Sequence, residues 1–176
     1  MGLDIVAYSK LEHERDERVA AVMESLFSPL GEEVIHIFEE SERLRCMDMK
    51  IGKWHRTDET QEIHFRAGSY SGYNTFRNLL AKAFHGVSAD DIWSNEDNYE
   101  GSPFYEMINF SDCDGVIGPY DSDKLHQDFV NGEEEFQEYL METFGDDDEV
   151  EYYLGVYRNF THAFKLSSQN GILIFC

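Results

Sequence analysis

Gly171-Ile172-Leu173-Ile174-Phe175-Cys176 ends the sequence without polar alternation. A short run that is apolar at every position suits a strand buried in the body of a sheet. Leu3-Asp4-Ile5-Val6-Ala7-Tyr8 begins with period two and reads as a first strand entering the core. Pairing these two segments closes a sheet, so the sequence predicts an α+β fold: mainly antiparallel sheet with helices packed on one face, in one domain over residues 1–176.

Between those ends the periodicity changes several times. Residues 12–27 carry Val19, Val22, Met23, Leu26 and Phe27 at helical spacing, and Ser28-Pro29-Leu30-Gly31 stops them. Residues 33–38 suit a short strand, or an extension of the helix. Residues 45–51 and 61–66 both alternate and predict an antiparallel hairpin. A small-residue loop, 68–72, then feeds a helix from Tyr73 to Gly86. Residues 87–102 are polar without a clear period and predict a surface loop, and residues 104–110 predict a buried strand. A helix from about Asp121 to Val130 is followed by the turn-like Asn131-Gly132. Residues 133–144 and 146–167 then show broad apolar stripes.

The chain has 176 residues, 41% hydrophobic and 14% aromatic, enough apolar material for a substantial core. Three widely spaced cysteines, Cys46, Cys113 and Cys176, argue against a disulfide framework. No apolar run approaches the roughly 18 residues of a membrane span, and the N-terminus lacks a basic signal-peptide start. The expectation is a cytoplasmic protein with no membrane partner.

Net charge is −22, unevenly distributed. Residues 1–86 hold 15 acids and 11 bases, whereas residues 87–176 hold 21 acids and only Lys124, Arg158 and Lys165 as bases. Such a field disfavours direct nucleic-acid binding and permits a basic protein partner. The acids gather at Asp90-Asp91, Glu96-Asp97, Glu133-Glu134-Glu135 and Asp146-Asp147-Asp148-Glu149. These clusters are the candidate partner-binding surface, because spaced carboxylates can imitate the phosphates that a basic protein binds. The plain alternative is a solvated, solubilising face.

Two loops are candidates for small-ligand chemistry. Arg66-Ala67-Gly68-Ser69-Tyr70-Ser71-Gly72-Tyr73-Asn74 lies between a strand and a helix, with Arg77 one turn on. Arg66, Ser69, Ser71 and Arg77 would donate to an anion at the helix start, beside Tyr70, Tyr73 and Asn74. It is neither a P-loop nor a GxGxxG fingerprint. The plain alternative is a capped turn with Tyr70 and Tyr73 packed locally.

The second loop, Asn109-Phe110-Ser111-Asp112-Cys113-Asp114-Gly115, resembles the nucleophile motif of haloacid dehalogenase-like phosphatases, a hydrophobic strand ending in Asp-x-Asp-Gly. That resemblance implies Asp112 as nucleophile, Asp114 as acid/base and Mg²⁺ held by both. Against it, 111 residues precede Asp112 and only 62 follow Asp114, too few for the strand–helix units that complete that fold. Asn109, Ser111 and Asp112 would otherwise join the first loop as ligand-binding residues. A Cys113–His64 or Cys113–His126 dyad has no support from charge, since two acids flank the thiol.

Residues 1–9, 64–74 and 108–119 together resemble a family of small proteins encoded by phages and prophages. The resemblance implies an accessory protein that binds a host factor, including a defence component, and transfers no catalytic residue. The leading expectation is therefore a non-enzymatic protein without a cofactor that binds a basic host protein through its acidic half. The rival is a phosphorylated-ligand or nucleotide site, or a Mg²⁺-dependent hydrolase, built from residues 66–77 and 109–119. A structural or oligomeric accessory role is the third.

Overall fold

β1 (Gly2–Tyr8) and β7 (Ile172–Phe175) lie side by side, antiparallel, with Val6 opposite Ile174. The computed structural model that establishes this describes residues 2–14, 34–37, 52–110 and 115–175. β5 (Glu62–Ser69) flanks β1, and β6 (Gly115–Ile117) flanks β7. The sheet is antiparallel throughout, in the order β5-β1-β7-β6.

Both faces of β7 are covered, which is why it shows no polar alternation. Leu3, Ile5, Ala7, Leu173 and Phe175 enter the main core beneath the helices. Val6, Tyr8, Ile172 and Ile174 join Leu11, Trp54 and Val116 on the opposite face. Trp54 belongs to β4 (Gly52–His55), the centre of a second sheet between β2 (Glu12–Glu14) and β3 (Val34–Ile37). A strand covered twice needs apolar residues at every position.

The described residues also form five helices: α1 (Tyr70–His85), α2 (Ala89–Ser94), α3 (Tyr105–Asn109), α4 (Pro119–Phe144) and α5 (Asp147–Ser167). Only Gly145 and Asp146 separate α4 from α5, which forces an antiparallel hairpin. Its ring pairs run accordingly: Phe129 with Phe164, Phe136 with Tyr157, and Phe144 with Tyr153. The Tyr157 hydroxyl donates to the Phe129 carbonyl at 2.8 Å, and Ser167 Oγ donates to Ser122 Oγ at 2.8 Å.

Phe160 joins this hairpin to the sheet. Its ring centroid is 5.0 Å from Phe65 on β5, 5.6 Å from Phe76 on α1 and 6.4 Å from Phe175 on β7.

The structure corrects several expectations. Residues 104–110 are not a strand: Phe104 is left-handed at φ 59° and α3 follows. A short apolar run is ambiguous between helix and strand, and here α1 takes up the carbonyls of Ile108 and Phe110 that a sheet ladder would otherwise claim. The supposed loop 87–102 contains α2, started by a reciprocal capping box between Ser88 and Asp91. Residues 12–14 are strand, and 15–27 lie outside the described residues. β5 pairs with β1, and residues 45–51, its expected hairpin partner, lie outside the described residues.

Asn131-Gly132 does not break α4. A Cβ on Gly132 would lie 2.7 Å from Phe84 Cζ and 3.0 Å from Phe104 Cζ, so glycine admits those rings against an unbroken helix. Gly132→Val is expected to cost about 1–3 kcal/mol by overpacking, although valine is the better helix former. Urea denaturation checks this, and an unchanged midpoint would refute that role for Gly132.

Candidate functional site

The loop entering α1 is built by its own hydroxyls. Ser69 is the N-cap, its Oγ accepting from the Gly72 N–H at 3.0 Å, and the Ser69 and Ser71 hydroxyls are 2.9 Å apart. A capped helix start of this kind follows from the Ser-x-x-Gly spacing after a strand. Tyr70 is half-buried against the core, as the plain alternative expects.

One turn further, α1 is fastened to the second loop. Tyr73 is buried and its hydroxyl donates to the Phe110 carbonyl at 2.9 Å. Burial pushes that phenol well above the usual tyrosine range, with Arg77 pulling weakly the other way, so Tyr73 remains a donor. Arg77 is only 4% exposed. Its Nε and Nη2 both donate to the Ile108 carbonyl, Nε at 2.7 Å, and its Nη1 donates to Asn74 Oδ1 at 2.9 Å. Asn109 is buried as well, its Nδ2 donating to the Tyr105 hydroxyl at 3.1 Å, while its Oδ1 has no hydrogen-bond partner among the described residues.

The two sequence blocks therefore meet, but through main-chain carbonyls. Of the expected ligand-binding residues, Tyr73 and Arg77 hold the carbonyls of Phe110 and Ile108, and Asn74 accepts from Arg77. Ser111, Asp112, Cys113 and Asp114 lie outside the described residues. The segment leading into them is the helix α3 and the strand β6 follows them, the reverse of the order in the phosphatase motif. Among the described residues, no three His, Cys, Asp or Glu side chains gather so as to hold a metal ion.

Arg66 lies apart from that junction. It is exposed on β5 and lines an open groove of about 390 Å³ with Asp148, Glu151, Tyr152, Gly155 and Asn159 of α5. Asp148 and Glu151 bring two carboxylates to this groove, while the Arg66 guanidinium lies against Gly2 of β1. An anion there would meet net repulsion, whereas a cation would not.

The acidic clusters divide by location. Asp90 and Asp91 sit in the first turn of α2, and Glu96 and Asp97 in the 3-10 turn 96–98. Asp91 has local work: its carboxylate accepts from the Ser88 hydroxyl and N–H, which holds its pKa below the usual carboxylate range. Glu133 pairs with Arg158 at 2.7 Å across the hairpin, an exposed contact of small energetic weight. Asp146 caps α5 through the Asp148 N–H at 2.9 Å, and Asp147, Asp148 and Glu149 occupy its first turn, where the helix dipole favours them.

The remaining acids form one surface. Glu134, Glu135, Glu138 and Glu142 are exposed on α4 and lead across Gly145 into the acids of α5. Between residues 133 and 151 there are ten acids and no lysine or arginine. Among the described residues, the first-half cations Lys10 and Arg56 pair with Glu59 and Glu62 rather than with this surface. Met141 and Tyr152 are 56% and 49% exposed within it. The sequence clusters foresaw its acids; the continuity across Gly145 and these two apolar side chains come only from the folded hairpin.

No helix of the described residues is long and apolar enough to cross a membrane. No family model, curated protein or solved structure matches the chain.

Tyr73→Phe is expected to destabilise the fold by about 1–3 kcal/mol, because the buried Phe110 carbonyl loses its donor. An unchanged urea midpoint would count against this junction. Asp91 gives a pH signature as well. Its depressed pKa contributes stability above the ordinary carboxylate range, and that contribution is lost as pH falls through the lowered value. Asp91→Asn is expected to flatten the acid limb of the stability profile, and a profile parallel to the wild type would contradict this.

Proposed function

We propose that this chain is a non-enzymatic, phage-type accessory protein that binds a basic host protein through the carboxylates of the α4–α5 hairpin and inhibits it by occupying its nucleic-acid or nucleotide surface. The observation that carries this reading is where the charge sits. Glu138 and Glu142 are in the last two turns of α4, at the end whose exposed carbonyls repel anions, and the last turn holds no basic residue. Glu134, Glu138 and Glu142 also follow one another at i,i+4, a like-charge spacing that costs about 0.2–0.5 kcal/mol per pair.

Acidity kept only for solubility has no need of those positions, since many exposed sites carry charge at no local cost. Retaining them against local stability fits a surface selected for its field, which steers a basic partner into contact. The resemblance to phage and prophage proteins is what makes a host protein the proposed target. A defence component is the finer form of the same proposal.

The test separates stability from binding. Glu138→Lys with Glu142→Lys is expected to raise stability by about 0.5–1 kcal/mol, because the dipole and like-charge penalties both reverse. The same variant is expected to lose a basic partner that the wild-type chain captures from host extract at low salt and releases as salt rises. Capture of the same proteins by both forms, or capture insensitive to salt, would overturn the proposal.

A further inference from the structure

We infer that the outer edge of β5 accepts an extended, basic segment of the partner protein as an added strand, seated in the groove beside α5. This rests on the reading of a basic partner and adds how that partner is gripped.

Three observations converge on the edge. β5 is eight residues long and, among the described residues, pairs with β1 alone, leaving its other side without a strand partner there. An unpaired edge of that length presents a row of N–H and C=O groups, the template for strand addition. The open groove lies against this strand, with Arg66 on one wall and one flank of α5 on the other.

Gly155 is the second observation. A glycine in a helix interior is unfavourable relative to alanine. Here a Cβ would meet nothing within 4 Å, so no neighbour in the described chain needs that space. The vacancy faces the groove, where it lets a visiting backbone approach α5.

Charge is the third. Asp148 and Glu151 line the groove, and Asp146, Asp147 and Glu149 adjoin it on the same helix start. An extended chain turns alternate side chains to one face, so lysines or arginines at every second position would meet these carboxylates. Tyr152 leans over the end of the strand: a Cβ on Gly68, at φ +104°, would lie 2.7 Å from its hydroxyl. Its exposed ring offers an apolar seat for the stem of a long cationic side chain.

The probe is a short peptide alternating lysine with valine, titrated onto the full chain. Two controls have the same charge: the peptide N-methylated at every residue, which leaves no N–H on either edge, and a lysine–proline peptide, whose prolines donate nothing. The alternating peptide is expected to bind and to protect β5 amides from hydrogen exchange. Each control is expected to bind about tenfold or more weakly, because the backbone hydrogen bonds are gone. Gly155→Leu, which is expected to keep or raise the melting temperature, should block the groove and weaken the alternating peptide alone. If all three peptides bind alike, with salt dependence and no change at β5, strand addition is wrong while the acidic surface stands. If none binds, both readings fail. Protection of the outer β5 amides in the protein alone would also overturn the inference.

Discussion

Phe160 is the contact on which the remaining architecture depends. It is fully buried, it meets the Phe65 ring edge-on at 88°, and it stacks on Phe76 within 12° of parallel. Through those rings one residue of α5 holds the sheet edge, the first helix and, via Phe129, the long helix α4 in one arrangement. A close-packed aromatic junction tolerates little displacement. The orientation of α5 against β5 is therefore fixed by the core, and the groove and the acidic turn take their positions from it.

With that scaffold rigid, the two helices of the hairpin carry their acids on opposite terms. At the start of α5, carboxylates cap the helix and meet a favourable dipole; at the end of α4 they oppose one. Gly145, left-handed at φ 62°, turns the chain so that the two sets adjoin. The result is a field of one sign over a single turn of structure, with Met141 and Tyr152 as apolar points inside it. The 66–77 segment has turned its polar groups the other way. Arg77 and Tyr73 are spent on carbonyls, and these two side chains fasten the segment internally.

Much of this was legible in the residues. The unbroken apolar run at 172–175 announced a strand covered on both faces, and the stripe from Val150 to Phe164 announced a helix lying across a sheet. Local signals failed where tertiary contacts decided the outcome. Gly132 reads as a stop signal and acts as clearance for Phe84 and Phe104, which arrive from distant parts of the chain. Residues 104–110 read as strand because burial alone does not distinguish the two conformations. Arg77 reads as an anion donor because its partner is a main-chain carbonyl, which no side-chain motif marks. The Ser88/Asp91 capping box, by contrast, was present in the sequence as a Ser-x-x-Asp spacing and would have revealed α2.

The central claim is that a basic partner reads the acidic α4–α5 surface and not the acidity of the chain at large. Backbone amide shifts recorded while a lysine-rich peptide is titrated onto the protein test it most directly. The account expects the perturbed amides to fall within residues 134–155 and along β5, with α2 and the 96–98 turn silent although they carry acids too. Shifts spread over every acidic cluster in proportion to its charge, or centred on residues 90–97, would contradict it.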